Sequence, residues 1–321
     1  MPERLAGARR AAAFHVAAIG QTFFVDSPRV GVAAIAALAA VAPRLAASGL
    51  AVSVIARVVA GRAGAPRDFL ATGLVELNGW FLGLAIATFF APGLGFAVAL
   101  VAGGPMVAAA AIVLRRVFAT WDVPMFVAPY LPAFWLLFAA LAALPWASPA
   151  DLAAAVPPPA GSPALAIALG GLRGLGEIFF VPDARLGAAL AVAVTLGDRR
   201  IGISMVAAST AAVAIGHLAG LPAWQIEQGL AGFTPALVAA AALCGFAGLG
   251  RTAVAVAVAS GALVEAGVLR LTAGVGLYAL STSYLVFVWV FALLRPVRDA
   301  AADRRGWSST APGRPRRFDD G

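Results

Sequence analysis

The stretch Gly20-Gln-Thr-Phe-Phe-Val-Asp-Ser-Pro-Arg-Val-Gly31 returns later as Gly176-Glu-Ile-Phe-Phe-Val-Pro-Asp-Ala-Arg-Leu-Gly187. Gly, Phe-Phe-Val, Arg and the closing Gly coincide without a gap, and Gly176 falls 156 residues after Gly20. Gly73-Leu-Val-Glu-Leu-Asn-Gly79 and Gly229-Leu-Ala-Gly-Phe-Thr-Pro235 stand at the same offset. Two matches at one spacing are the mark of a duplicated unit, here of about 150 residues. Between the copies, Ser148-Pro-Ala-Asp151 and Pro157-Pro-Pro159 read as an extramembrane linker.

Composition sets the solvent. The chain has 321 residues, 62% hydrophobic and 12% charged. A soluble domain carries roughly a quarter charged residues, so this chain lacks the polar surface for a water-facing globule. It reads as an all-α polytopic membrane protein. The net charge of +8 comes from Arg alone, in short breaks and at the two ends rather than along a stripe. That excludes a nucleic-acid partner and suits the positive-inside rule, with both termini cytoplasmic. The lone Cys244 sits in an apolar run and reads as inert packing.

Apolar runs at 29–43, 45–62, 69–90, 92–114 and 124–146, then at 185–197, 200–220, 223–246, 248–268 and 271–294, give five spans per half. An odd number per half inverts the second copy relative to the first. Runs 10–21 and 164–177 are too short to cross a bilayer and read as re-entrant half-helices. The expected architecture is two inverted repeats, each of five transmembrane helices plus one re-entrant half-helix. Its parts are a cytoplasmic N-terminal segment 1–9, a first membrane repeat 10–146, a Pro-rich linker 147–163, a second membrane repeat 164–294 and a basic cytoplasmic tail 295–321.

A helix ending inside the membrane leaves its last four carbonyls unpaired. Such an end is tolerated only beside a cavity or within protein. Gln21 and Glu177 stand at these two ends, in equivalent places, and add side-chain acceptors. The Phe23-Phe24 and Phe179-Phe180 pairs supply flat apolar walls. A small solute rich in N–H donors suits such a site.

The Gly-Gln-x-Phe-Phe-x-x-x-Pro-x-x-Gly pattern and Leu172-Arg-Gly-Leu-Gly-Glu177 resemble the opening motif of the urea transporter family. Gly73 to Gly79 with Leu82-Gly83-Leu84, and Gly229 to Phe233, look like that family's Asn-Gly motif and its second copy. Pro124-Met-Phe-Val-Ala-Pro129-Tyr130 is similar to the stretch before the last span of a half, and Leu277 to Tyr284 is a worn copy of it. The resemblance implies passive, channel-type passage of urea across a bacterial inner membrane, within a homotrimer holding one pore per protomer between the halves. It implies no cofactor. Carried over by motif, Gln21, Phe24 and Glu177 match filter positions, Phe233 a slot aromatic, and Ser281 a constriction hydroxyl. The expected pathway also takes in Leu77, Asn78, Val127, Ile178, Phe180 and Thr234.

The chain departs from the family pattern at several of these places. Leu77 replaces a slot aromatic, Val127 a constriction Thr, Thr234 the second Asn, and Ser283 the second Pro. Ala17 stands opposite Arg173. A less polar filter leaves open another small neutral amide or ammonia as the solute. Glu177 with His15 leaves open proton-coupled transport, and Val127 with Leu77 a non-conducting paralogue. Blander readings stand beside the functional ones. Gln21 can satisfy local backbone, Glu177 can pair with Arg173 one turn earlier, and Asn78 can be a packing amide. The Phe residues can be core, His15 a packed imidazole, and Glu76 an interfacial residue without a local partner. Arg57 snorkels or pairs, and Trp146 and Trp224 anchor at the interface. No metal-spaced His/Cys cluster, phosphate-cradling loop or Ser/His/Asp set is present, so the chain reads as neither an enzyme nor a metal protein.

Overall fold

A computed structural model of the chain describes residues 12–121, 123–150, 161–244, 258–259, 261, 263, 265 and 279–303. The N-terminal segment 1–9, the middle of the linker, most of run 248–268, the first third of run 271–294, and the tail past 303 lie outside the described residues. The chain is an all-α polytopic membrane protein. Among the described residues, extended pairing is limited to one bridge, between Phe90 and Pro149.

Helix α1, Ala12–Phe23, ends in a 3₁₀ turn over Gln21–Phe23 and meets α2, Pro28–Val41, at 81°. There follow α3 (Pro43–Arg62), α4 (Arg67–Ala71), α5 (Leu74–Phe89), α6 (Leu94–Trp121) and α7 (Tyr130–Ala142). The later elements are α8 (Pro163–Glu177), α9 (Ala184–Gly197), α10 (Arg199–Leu218), α11 (Ala223–Gln228), α12 (Leu230–Cys244) and α13 (Thr282–Asp303). Both bounds of α9 and α10 fall 156 residues after those of α2 and α3. The sequence dictates these starts. Pro28 and Pro43 occupy first-turn positions, where a missing N–H costs nothing. In the later half Asp183 and Asp198 cap α9 and α10 through their carboxylates instead.

Helices α3, α6 and α10 are long and apolar enough to cross a bilayer, and α1 with α2 qualifies if the bent pair counts as one span. The apolar helices α5, α7, α9 and α12 are shorter. α8, at 15 residues, is about 22 Å long, less than a hydrocarbon core of about 30 Å.

Two runs expected as single spans are broken. Run 69–90 divides into α4 and α5 at Gly73 (φ +76°), and run 223–246 into α11 and α12 at Gly229 (φ +80°). At Gly229 a Cβ would also stand 2.3 Å from the Gly174 nitrogen, so the break and the approach of α8 are one feature. Run 124–146 becomes helical only at Tyr130; its opening residues form turns.

Packing is close because small residues face each other. A Cβ on Gly79 would lie 2.6 Å from Ser53 Cα, and one on Gly83 2.3 Å from the Ser48 carbonyl oxygen, so α3 and α5 touch backbone to backbone. Large apolar side chains point outward in their place, Leu196 at 84% and Leu218 at 85% exposure among them. Glu76, Asn78, Thr234 and Glu265 are buried instead. An apolar exterior, with the few polar groups turned into the protein, is what a bilayer requires.

Candidate functional site

The site is built on four strained turns. Phe24 (φ +58°) follows the 3₁₀ end of α1, and Phe180 (φ +60°) follows α8. Phe126 (φ +42°) precedes α7, and Leu280 (φ +49°) precedes α13. Each puts a non-glycine residue in the left-handed region, where L side chains are strained. The Phe24 N–H donates to the Gln21 carbonyl at 2.9 Å, and the Phe180 N–H to the Glu177 carbonyl at 2.9 Å. Gln21 and Glu177 thus stand at corresponding corners. Both are half-buried, as are Phe24 and Phe180.

Aromatic rings converge here from distant segments. Phe24 stands edge-on to Phe126 at 5.6 Å and to Tyr284 at 6.4 Å between centroids. Phe180 meets Phe81 at 6.5 Å and Phe89 at 6.4 Å. The other member of each Phe pair is core rather than wall. Phe23 and Phe179, both buried, meet each other at 5.6 Å, and Phe179 also packs on Trp80.

The remaining expected pathway residues are less accessible. Leu77, Val127, Ile178 and Phe233 are buried side chains. Asn78 is fully buried and held by backbone. Its Nδ2 donates to the Leu74 carbonyl (2.8 Å) and the Phe126 carbonyl (2.9 Å), while its Oδ1 accepts from the Tyr130 N–H (3.0 Å). Both amide donors are spent, so Asn78 clamps the Phe126 turn to α5. Thr234, its counterpart in the later half, donates instead to Glu265 Oε2 at 2.5 Å. The Ser281 hydroxyl accepts a bond from the Tyr130 hydroxyl at 2.7 Å, and the Ser281 N–H donates back to that oxygen at 3.0 Å.

Charged neighbours differ from the local pairings open to them in the sequence. Arg173 turns from Glu177 and donates to the Glu227 carbonyl at 2.8 Å. Glu76 is no interfacial residue: it is 1% exposed, and its Oε1 lies 2.8 Å from Arg57 Nη1. The Arg57 guanidinium also covers the Phe14 ring at 5.3 Å. His15 Nε2 and Ser53 Oγ lie 2.8 Å apart, and that hydroxyl donates to the Glu76 carbonyl at 2.7 Å. Ser209, which follows Ser53 by 156 residues, bonds the Gly171 carbonyl. Cys244 Sγ rests 3.8 Å from the Phe24 carbonyl oxygen.

Sequence reasoning passed over Tyr130, Tyr284 and Glu265 as site residues. Tyr130 carried a signal, a hydroxyl closing the Pro124–Tyr130 motif. Glu265 carried another, a carboxylate inside an apolar run.

A family model described as urea transporter matches residues 14–296 of the chain. No curated protein matches it.

Proposed function

The chain belongs to the urea transporter family, and from that premise we propose that it is a channel through which urea crosses the membrane downhill. The observation that carries this reading is the paired corner: Gln21 with Phe24, and Glu177 with Phe180. Each corner couples a half-buried acceptor side chain to a half-buried ring on a left-handed turn.

The chemistry suits the solute. Urea is planar and neutral, with four N–H donors and one carbonyl. Losing its hydration shell costs several kcal/mol unless replacement hydrogen bonds are supplied. Acceptors at successive helix ends replace water in steps, so no single site traps the solute. Flat apolar walls admit a planar amide and disfavour a hydrated ion. No covalent step takes part. In this reading the two halves are inverted repeats of five spans and one re-entrant helix, with the pathway between them. The protein is a homotrimer in a bacterial inner membrane, with both termini in the cytoplasm.

The test is stopped-flow light scattering of proteoliposomes challenged in turn with urea, acetamide, ammonia and glycerol. Urea flux well above that of empty liposomes, with glycerol excluded, supports the reading. Folded protein that passes none of them overturns it. A second reading, another small neutral amide, is favoured by the Tyr130–Ser281 bond, which occupies a constriction hydroxyl. Acetamide flux above urea flux would establish it.

A further inference from the structure

Arg57 and Arg173 perform the same task from two different helices. The Arg173 guanidinium, on α8, donates to the Glu227 carbonyl at 2.8 Å, near the end of α11 and just before the break at Gly229. Position 17, which precedes Arg173 by 156 residues, holds Ala. The first half brings its guanidinium from α3 instead. Arg57 Nη1 donates to the Leu70 carbonyl, near the end of α4 and just before the break at Gly73. The last carbonyls of a helix lack partners within it, and a nearby cation satisfies them.

Ala17 and Arg173 have corresponding neighbours on both sides. Gly31 approaches the Val16 carbonyl as Gly187 approaches that of Leu172. A Cβ on Gly73 would meet Ala18 Cβ at 2.8 Å, and one on Gly229 would meet the Gly174 nitrogen at 2.3 Å. In both comparisons each later residue stands 156 after the earlier one. Position 17 is therefore seated against the first break as Arg173 is against the second. The places of Arg57 and Glu76 are taken in the later half by Val213 and Gly232, so that half carries neither the α3-type cation nor its carboxylate.

The exchange has a steric reason. A Cβ on Gly170 would lie 2.4 Å from the Ile226 carbonyl oxygen, so α8 seats there by backbone contact. The corresponding residues are Phe14 and Leu70. A phenyl ring cannot make that approach. The Arg57 guanidinium covers the Phe14 ring at 5.3 Å and takes the Leu70 carbonyl. The anchored break in turn carries part of the candidate site. A Cβ on Gly73 would stand 3.5 Å from Gln21 Nε2, so the Gln21 amide rests on the break.

We propose that Arg57 is a positioning residue for the Gln21 corner. Its guanidinium pins the end of α4, and so the seat of the Gln21 amide, and this task is transferable to position 17. The inference deepens the reading of Gln21 as a pathway residue and rests on it. The ion pair with Glu76 balances charge, whereas the bond to Leu70 fixes the break, so the two roles separate by substitution.

The experiment compares the full-length wild type, the double variant Arg57→Met/Glu76→Gln, and the same double variant carrying Ala17→Arg. The double variant removes the anchor without stranding a buried carboxylate, so it serves where Arg57→Met alone does not fold. The triple variant places an arginine where the later half has one. Hydrogen exchange at the backbone of residues 70–74 is expected to quicken about tenfold or more in the double variant, the effect of losing one charge-assisted bond. It is expected to slow again in the triple variant. The ratio of urea to glycerol flux in proteoliposomes falls and recovers in step. A general loss of stability would not be reversed by an arginine at position 17. Unchanged exchange in the double variant overturns the proposal, and so does a flux ratio that fails to follow the exchange in both directions. A wild type that passes no urea sinks the channel reading, and exchange at the break then still decides the anchor.

Discussion

The Tyr130 phenol donates a hydrogen bond to the hydroxyl of Ser281, 2.7 Å away and 151 residues further along the chain. Both residues are buried, and the bond ties the start of α7 to the turn ahead of α13. A hydroxyl accepting from Tyr130 offers less to a passing solute.

Tyr130→Phe frees that hydroxyl. The variant is expected to lose about 2–3 kcal/mol, because the buried Ser281 N–H loses its acceptor along with the hydroxyl pair, and to conduct urea faster. Thermal unfolding in detergent and stopped-flow flux measure the two effects. An unchanged flux would place Ser281 off the pathway.

Asn78→Leu removes three bonds to backbone at once. The freed Tyr130 N–H is buried and the Leu74 and Phe126 carbonyls part-buried, so a cost of about 2–3 kcal/mol is expected. Flux should fall because the Phe126 turn loosens against Phe24, even though Asn78 has no donor left for solute. Unfolding and flux should therefore change together. Asn78→Asp keeps the acceptor but turns a carboxylate oxygen toward the Leu74 and Phe126 carbonyls, and should cost at least as much as Leu.

Arg57→Met leaves Glu76 buried without its cation. The expected loss is about 2–4 kcal/mol, short of the full cost of an orphaned buried charge because Arg57 reaches solvent. Replacing Glu76 by Gln in the same chain should recover most of it. A double-mutant cycle on unfolding midpoints checks this, and additive losses would show that the pair is not coupled.

The same close approach occurs at two glycines. A Cβ on Gly31 would lie 1.9 Å from the Val16 carbonyl oxygen, and one on Gly187 1.8 Å from that of Leu172. Gly31→Ala and Gly187→Ala should each cost at least about 3 kcal/mol, at the upper end for overpacking. Both should lower the yield of folded protein in size-exclusion chromatography. Gly61→Ala has open space and serves as the tolerated control.

Much of the scaffold is readable in one dimension. The apolar runs 45–62 and 200–220 became α3 and α10, because proline, aspartate and the run ends mark where the helices start and stop. The Gly-Gln/Glu and Phe-Phe corners were visible through their repetition. The breaks at Gly73 and Gly229 were not, since hydrophobicity continues across them and only backbone torsion interrupts the helix. Contacts set by tertiary packing were equally hidden. Nothing near Asn78 in the chain announces Phe126, and nothing near Arg173 announces that it prefers the Glu227 carbonyl to Glu177 one turn away. Glu265 was overlooked as a single acid in an apolar run, the context that makes such a residue informative.

Phe24, Phe126, Phe180 and Leu280 hold a backbone shape that L side chains resist at roughly 1–2 kcal/mol each. The helices around them are regular and tightly seated, so the molecule is uneven in compliance. At the corners beside the candidate filter a few short turn bonds, Phe24 to Gln21 in one and Phe179, Phe180 and Val181 to Gly176 and Glu177 in the other, replace a continuous helix ladder. Breathing of this protein is therefore a local event at those corners, and hydrogen exchange there should outpace exchange in α3 and α5 while the bundle keeps its shape.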